Sequence, residues 1–299
     1  MPELPEVETV ARQLAPLVAG RRVTRLAIHD RAKLAPPGAR LAERTVGRVM
    51  RVGKRVLIEL QPAPAARGGS TGLGAAGAAV PGAAPLWLAV HLRMTGRLVF
   101  GREIPAGTPR PHVRAQLFLD GGVISFIDPR RFGTFEWLRS PEEAVPDAVD
   151  PTENAFTPEC LAALLRGSPQ PLKTWLLRQD RLVGIGNIYA SEILWHARLS
   201  PFRAAGRLKR DEIARLHAAT RAVLTAAIEA CGTTFSDFQD AHGLTGSYQR
   251  FLAVYEREGE PCLRCGGPVA RRTQAQRSTY WCRGCAAGAV ARGGAHSEP

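Results

Sequence analysis

The chain has 299 residues, which is long enough for about two domains and for a large hydrophobic core. Its 45% hydrophobic and 22% charged residues are ordinary for a globular protein and exclude collagen, wholesale disorder and a disulfide-rich miniprotein. The unusual quantity is the charge, since 40 Lys and Arg against 27 Asp and Glu give +13. This excess indicates an anionic partner, either nucleic acid or an anionic membrane.

A membrane location is disfavoured. No run of about 18 apolar residues lacks charge or glycine, so we expect no transmembrane segment. Residues 1–6 are acidic and proline-rich, unlike a signal peptide. We therefore expect a cytoplasmic protein, whose six cysteines need an explanation other than disulfide bonds.

The first half of the chain predicts one helix and then many strands. Residues 5–19 place apolar side chains on one helical face, with Pro5 in the first turn and Gly20 at the end. Apolar side chains at even positions predict a strand over 46–60. Further strands are expected near 86–92, 97–100, 113–119, 123–127 and 134–138. Short strands without intervening helices predict an antiparallel sandwich or barrel.

The segment 61–85 interrupts this pattern, because 19 of its 25 residues are Ala, Gly or Pro. We expect a flexible surface insertion there. After a Pro- and acid-rich linker at 141–157 the pattern becomes helical, at about 158–166, 171–179, 187–196 and 208–231. We predict an N-terminal domain at 1–140, a helical domain at 150–245, a third domain at 246–287 and a disordered tail at 288–299.

Four cysteines near the C-terminus have the spacing of a zinc ribbon, C-x2-C-x16-C-x2-C: Cys262, Cys265, Cys282 and Cys285. Two disulfides or free thiols are the alternative. Four protein ligands leave no open position, so we expect one structural Zn²⁺. The ribbon also carries five arginines and no acid, which favours a phosphate-binding face over a merely solvated one: Arg264, Arg271, Arg272, Arg277 and Arg283.

Three shorter motifs are ambiguous when taken alone. Gly184–Asn187 joins two predicted helices, and either binds an anion at a helix start that Asn187 caps or simply permits a tight turn. Lys54 lies in phase with the apolar face of the 46–60 strand unless Gly53 shifts the register. Asp128–Gly133 has two arginines beside a phenylalanine, and either wedges into a base stack or forms an ordinary surface turn.

The chain resembles the bacterial formamidopyrimidine-DNA glycosylases. The motifs MPELPEVET at 1–9, DPRRFG at 128–133, GIGNIYASE at 184–192 and the four-cysteine ribbon occur in that family in the same order. The resemblance covers about 1–60 and 86–287, and the first two motifs favour this family over endonuclease VIII. It implies an α+β multidomain fold: an N-terminal antiparallel β-sandwich with one long helix, a helix–two-turns–helix domain and a zinc ribbon, with DNA in the cleft between the halves.

The resemblance also implies a mechanism. After removal of Met1, the amine of Pro2 attacks C1′ of the damaged nucleotide, expels the base and forms a Schiff base. Glu3 transfers a proton at the sugar ring, Glu6 supports it, and Lys54 grips a phosphate at the lesion and is counted with the catalytic set. β- and then δ-elimination cut the strand.

The DNA-binding residues that the resemblance implies fall into two groups. Met94, Arg130 and Phe132 fill the gap left by the flipped base, with Arg130 facing the orphaned partner base. The other members of the set grip the DNA around the lesion: His112, Arg131, Asn187 and Arg277.

Three departures put the base preference in doubt. Arg93 and Glu256 stand where the family usually has glycine, and Ser236 falls where some members have lysine, in the 235–248 loop that covers the flipped base. We predict a monomeric glycosylase and AP lyase for oxidised purines in duplex DNA, associated with the bacterial nucleoid. The alternatives are an endonuclease VIII-like preference for oxidised pyrimidines and a non-catalytic damaged-DNA-binding protein.

Overall fold

The structure, a computed structural model, describes residues 2–30, 41, 44–62, 84–145, 147–233, 241–242 and 246–286. By their contacts, residues 1–145 and 230–249 form one compact unit, and residues 146–229 and 250–299 form a second. The predicted tail and nearly all of the predicted insertion lie outside the described residues. In the described part of the chain, no helix is long and apolar enough to cross a membrane.

In its described residues, the first unit contains one α-helix and two four-stranded antiparallel sheets. In chain order its elements are α1 (Leu4–Val18), β1 (Val23–Ile28), β2 (Thr45–Val52), β3 (Arg55–Gln61), β4 (Leu86–His91), β5 (Arg97–Gly101), β6 (Val113–Leu119), β7 (Gly122–Ile127) and β8 (Thr134–Leu138). One sheet has the order β1-β6-β7-β5 and the other β2-β3-β4-β8, and every pairing is antiparallel. The predicted antiparallel sandwich is confirmed.

The two sheets and α1 share one hydrophobic core. Val7, Val10 and Leu14 of α1 are fully buried against side chains from both sheets, such as Ile58 of β3 and Leu117 of β6. Burying side chains of this size contributes about 1.5–3 kcal/mol each before the cost of ordering the chain. This packing fixes the first turn of α1, where the candidate catalytic residues lie.

The prediction of a single strand over 46–60 was wrong, because this segment forms a hairpin of β2 and β3. Val52 pairs with Arg55, and Gly53 and Lys54 form the two-residue turn between them. Gly53 has φ +57°, a value that glycine adopts without the clash of a Cβ. Lys54 is therefore a half-exposed turn residue and does not face the core.

The second unit is helical and ends in a β-hairpin. Its elements are α2 (Pro158–Leu165), α3 (Leu172–Leu176), α4 (Asn187–Ala197), α5 (Arg210–Glu229), β9 (Val269–Gln274), β10 (Arg277–Cys282) and α6 (Arg283–Ala286). Helices α2 to α5 lie where the apolar periodicity predicts them, although α3 has only five residues. Residues 230–249 belong by their contacts to the first unit, and the three-domain boundaries stay a prediction.

Candidate active site and nucleic-acid interface

The first turn of α1 holds two buried carboxylates beside Pro2. Pro2 is buried, and Glu3 and Glu6 are only 2% and 1% exposed. Glu3 is the N-cap of the helix, and its backbone N–H donates to Oε2 of Glu6 at 2.8 Å. The positive end of a helix favours carboxylates at this position. The fold therefore places Pro2 and the buried carboxylates of Glu3 and Glu6 next to each other.

The second oxygen of Glu6 joins this turn to the segment that follows α5. Oε1 of Glu6 accepts from the backbone N–H of Thr233 at 2.7 Å and from its hydroxyl at 3.0 Å. Gly232, with φ +76°, passes so close that a Cβ there would lie 2.8 Å from the same oxygen. The Glu6 carboxylate is thus fixed by donors that are 227 positions away in the chain.

The predicted wedge residues Met94 and Phe132 lie on two turns that share one buried carboxylate. Met94 is 39% exposed and Phe132 is 53% exposed. Asp128, which is fully buried, accepts from the hydroxyl of Thr95 at 2.5 Å and from the backbone N–H of Gly133 at 2.7 Å. One side chain therefore ties the turn that carries Met94 to the turn that carries Phe132.

The remaining predicted residues of this region surround the same aspartate. Arg130 is exposed, and its backbone N–H donates to the Thr95 hydroxyl at 3.4 Å. The carbonyl of His112 accepts the backbone N–H of Asp128 at 2.8 Å. Arg131 has its Nε 3.0 Å from Oδ2 of Asp30, and this bond raises the pKa of Arg131. The structure thus brings Met94, His112, Arg130, Arg131 and Phe132 together.

His91 is a candidate that the sequence reasoning missed. It ends β4 and pairs with Arg55 across the sheet, and its Nδ1 accepts the backbone N–H of Arg93 at 3.1 Å. Burial and the charges of Arg93, Arg55 and Lys54 lower its pKa to about 3. His91 is therefore neutral near pH 7, with its proton on Nε2. Its position three residues before Met94 was the available signal.

In the second unit, the start of α4 lies against the zinc hairpin. Asn187 is the first residue of α4, and Gly186, not Asn187 as expected, is the N-cap. Nδ2 of Asn187 donates to the carbonyl of Ser278 at 3.1 Å, and the fully buried Lys173 donates to that carbonyl at 2.8 Å. Ser278 follows the exposed Arg277. The two predicted phosphate-binding residues of this unit are therefore neighbours.

The four cysteines of the ribbon converge on one point. Their Sγ atoms all lie within 4.8 Å of one another, with 3.8 Å between Cys262 and Cys285 and 3.3 Å between Cys265 and Cys282. A tetrahedral zinc with Zn–S bonds of about 2.3 Å separates its sulfurs by about 3.8 Å. All six cysteines lie within the described residues, and none forms a disulfide. The donor set fits one structural zinc ion.

Without a cation, these four sulfurs would not all be thiolates at neutral pH. Burial raises the pKa of Cys285 to about 12. At Cys262, burial raises the pKa, but donors that include the Arg264 backbone and the Trp195 indole outweigh it and lower the pKa to about 6. The Trp195 indole lies 3.2 Å from the Cys262 sulfur. Four thiolates this close need a divalent cation, which zinc supplies.

Together these features define an α+β protein with a buried acidic helix start, an exposed wedge and a four-cysteine zinc ribbon. Three family models match the chain: the formamidopyrimidine-DNA glycosylase N-terminal domain over 1–135, the formamidopyrimidine-DNA glycosylase H2TH domain over 148–239, and the zinc finger found in FPG and IleRS over 259–288. The chain belongs to the formamidopyrimidine-DNA glycosylase family.

Members of this family from other organisms align with nearly the whole chain. The formamidopyrimidine-DNA glycosylase of Chloroflexus aggregans is 40% identical over 292 residues, covering 95% of this chain and 98% of the relative. The crystal structure of the MutM (Fpg) protein of Thermus thermophilus is 39% identical, with a TM-score of 0.78 and coverage of 95% and 98%. The Lactococcus lactis Fpg in complex with DNA containing an abasic site is 26% identical, with a TM-score of 0.79 and the same coverage. The L. lactis protein has also been solved with DNA containing an oxidised pyrimidine, at 27% identity, a TM-score of 0.79 and coverage of 95% and 99%.

Proposed function

We propose that this protein is a bifunctional DNA glycosylase and AP lyase that excises oxidised purines, including 8-oxoguanine and formamidopyrimidines, from duplex DNA. The observation that carries the proposal is the buried Glu3, fixed by Glu6 directly after Pro2 at the start of α1. Membership of the family supplies the reaction class and the substrate class. The site residues below are part of the proposal.

The chemistry begins at Pro2. Once Met1 is removed, Pro2 carries a secondary α-amine, and with a pKa of about 7.7–8.0 roughly a tenth of such amines are neutral at pH 7. The amine nitrogen bonds to C1′, and the bond from C1′ to the damaged base breaks as the base takes up a proton. Glu3 protonates the ring oxygen, so that the sugar opens and the nitrogen, having lost its proton, forms an iminium with C1′.

The iminium then makes strand cleavage possible. It withdraws electrons from C1′ and acidifies the hydrogens on C2′. Loss of one of these protons expels the 3′ phosphate, and a second elimination expels the 5′ phosphate. The zinc would take no part in these steps, because four cysteine ligands leave it no open coordination position. The zinc instead holds the hairpin that carries Arg277.

Residues of each unit contribute to DNA binding. Lys54, Asn187 and Arg277 take backbone phosphates, and His91 joins them through its Nε2–H. His112 and Arg131 extend the contact. Met94, Arg130 and Phe132 enter the space that the flipped nucleotide leaves. The support for this assignment is that Lys54 adjoins His91, that Asn187 adjoins Arg277, and that Asp128 holds the wedge turns together.

Borohydride trapping tests the reaction directly. Borohydride reduces the iminium to a stable amine, so we expect a covalent adduct between the native-start protein and a duplex containing 8-oxoguanine. A matched protein with one residue added before Pro2 keeps the fold and should give no adduct while still binding the duplex. The proposal is wrong if the native-start protein gives no adduct under conditions in which a known active glycosylase does.

Two other functions would give different results. A preference for oxidised pyrimidines would make thymine glycol a better substrate than 8-oxoguanine in paired excision assays. The solved complex of the L. lactis relative with an oxidised pyrimidine makes this comparison necessary. A non-catalytic binder would leave abasic-site DNA uncut. We further propose that the enzyme acts as a monomer in the cytoplasm, on the nucleoid.

A further inference from the structure

Arg93 has a backbone conformation that does not suit an arginine. It follows β4, directly before Met94, and has φ +55°. The turn closes tightly here, because the backbone N–H of Gly96 donates to the Leu92 carbonyl at 2.9 Å and a Cβ on Gly96 would lie 2.3 Å from that oxygen. L-residues rarely take a positive φ, since Cβ then crowds the backbone. Glycine would adopt this conformation freely.

The arginine side chain gains nothing within the protein that offsets this strain. Arg93 is exposed. Across the described part of the chain, its guanidinium forms no hydrogen bond and no ion pair, and only its backbone N–H is used, by His91. An unstrained residue at this site would therefore be the stable choice for the free protein. Strain at an exposed, unpaired side chain points to a ligand outside the chain.

The groups around Arg93 identify the charge of that ligand. Lys54 and Arg55 lie close enough, with Arg93, to act on the charge of His91. The carboxylate nearby is Glu136, whose Oε2 is 3.5 Å from the Arg55 guanidinium. The Nε2–H of neutral His91 adds a donor. Among the described residues, Glu136 pairs with Arg55, whereas Arg93 adds a cation that forms no ion pair, so its surroundings fit an anion.

We propose that Arg93 is a further DNA-binding residue of this enzyme, which takes a backbone phosphate beside the Met94 wedge. The proposal rests on the proposed function, because the anion is a phosphodiester of the damaged duplex. Arg93 adds one cation to the grip that Lys54 and His91 provide. It thereby couples insertion of Met94 to contact with the backbone, since the two residues are consecutive.

The test compares the salt dependence of binding by four proteins: the unaltered protein, Arg93→Gly, Arg93→Lys and Arg139→Gly. The ligand is a fluorescent duplex that contains a stable abasic-site analogue. One lost phosphate contact reduces the slope of log K against log salt by about 0.9. We expect this reduction, and a several-fold weaker affinity near physiological salt, for Arg93→Gly only. Arg93→Lys keeps the charge and should keep the slope.

Arg139→Gly is the matched control, because Arg139 is exposed and follows the end of β8 opposite to the end that pairs with His91. Arg93→Gly should also unfold at a temperature no lower than the unaltered protein, since glycine relieves the positive φ. Equal slopes for the unaltered protein and Arg93→Gly would overturn the role of Arg93 alone. Failure of the unaltered protein to bind the duplex would overturn the proposed function as well.

Discussion

The start of α1 and the zinc hairpin differ in the sign of their charge and in their exposure to solvent. Glu3 and Glu6 are acidic, buried and held by hydrogen bonds from the backbone and from Thr233. The hairpin of β9 and β10 is basic and exposed, with its arginines in solvent and its base held by four sulfurs. The start of α1 shields its carboxylates from water, whereas the hairpin exposes its positive charges to water.

This contrast agrees with the roles that we propose for the two regions. Proton transfer and nucleophilic attack need reacting groups fixed to within fractions of an ångström, which burial and directional hydrogen bonds provide. Phosphate binding depends on charge that acts over several ångströms, so long exposed arginines suffice. A local change should therefore affect the reaction at α1 and the affinity at the hairpin.

Loss of zinc should reduce DNA affinity more than any other change, and it should disrupt only the hairpin. A structural zinc contributes about 10–16 kcal/mol to the folding of zinc-finger peptides, so Cys282→Ser should unfold the hairpin that carries Arg277. We expect DNA affinity to fall more than about 100-fold. Zinc content and duplex binding measure this. Cys160→Ser, in α2 and outside the cluster, should change neither. A zinc-free Cys282→Ser protein that binds DNA normally would contradict the assignment.

The predicted wedge combines the two properties. Met94 and Phe132 are exposed, whereas Asp128, which holds their turns, is buried. Asp128→Ala leaves the Thr95 hydroxyl and the Gly133 N–H without their acceptor, at a cost of about 3 kcal/mol. Chemical denaturation measures this cost. Met94 and Phe132 lose their fixed separation, so affinity for the lesion should fall more than affinity for undamaged DNA. The exposed Asp147→Asn serves as control. Equal losses on both DNAs would show that Asp128 only stabilises the fold.

A pair of glycine substitutions distinguishes general backbone strain from displacement of the Glu6 side chain at the start of α1. Gly232→Ala and Gly167→Ala both place a Cβ at a positive φ, +76° and +69°, and each should cost about 1 kcal/mol for that reason. A Cβ at Gly232 would also press on Glu6, whereas nothing lies within 4 Å at Gly167. We expect only Gly232→Ala to lose trapping with borohydride, together with about 1 kcal/mol more stability. Identical behaviour of the two variants would contradict the positioning role of Glu6.

The smallest effect should come from His91, whose pKa is lowered to about 3. Below about pH 6.5 the unfolded chain binds a proton that the folded chain does not, so stability falls as the pH falls. Because His91 is half-buried, we expect the unaltered protein to lose about 1 kcal/mol relative to His91→Gln between about pH 7.5 and 5.5. Denaturation at several pH values measures the difference, and parallel curves would contradict it.

Features that depend on neighbours in the chain could be predicted from the sequence. The spacing of Cys262, Cys265, Cys282 and Cys285 alone indicated the zinc site, and the apolar periodicity located α1 and the helices of the second unit. Lys54 shows the limit of such predictions. The chain turns at Gly53, although the alternation of apolar and polar side chains continues on both sides of it. Periodicity cannot distinguish one long strand from two strands joined by a two-residue turn.

Features that depend on distant residues could not be predicted. Nothing in the local sequence relates Glu6 to Thr233, or Asp128 to Thr95, since buried polar atoms find their partners only when the chain folds. His91 was missed for the same reason, because the charges that act on it come from β3, from the turn before β3 and from the turn after β4. The roles of Pro2 and Glu3 came from the resemblance to the family, because an acidic N-terminus carries no such signal by itself.

The chain leaves the first unit after residue 145, returns at 230 and leaves again after 249. The catalytic half is therefore not a continuous piece of polypeptide, and residues 1–145 expressed alone would lack the Thr233 backbone that holds Glu6. A cut near residue 145 should leave two associated polypeptides, because Ala241 of the second packs in the core that the first forms. Fragment complementation, with 1–145 and 146–299 expressed separately, is accordingly a feasible way to supply Pro2 with a defined, chemically synthesised N-terminus.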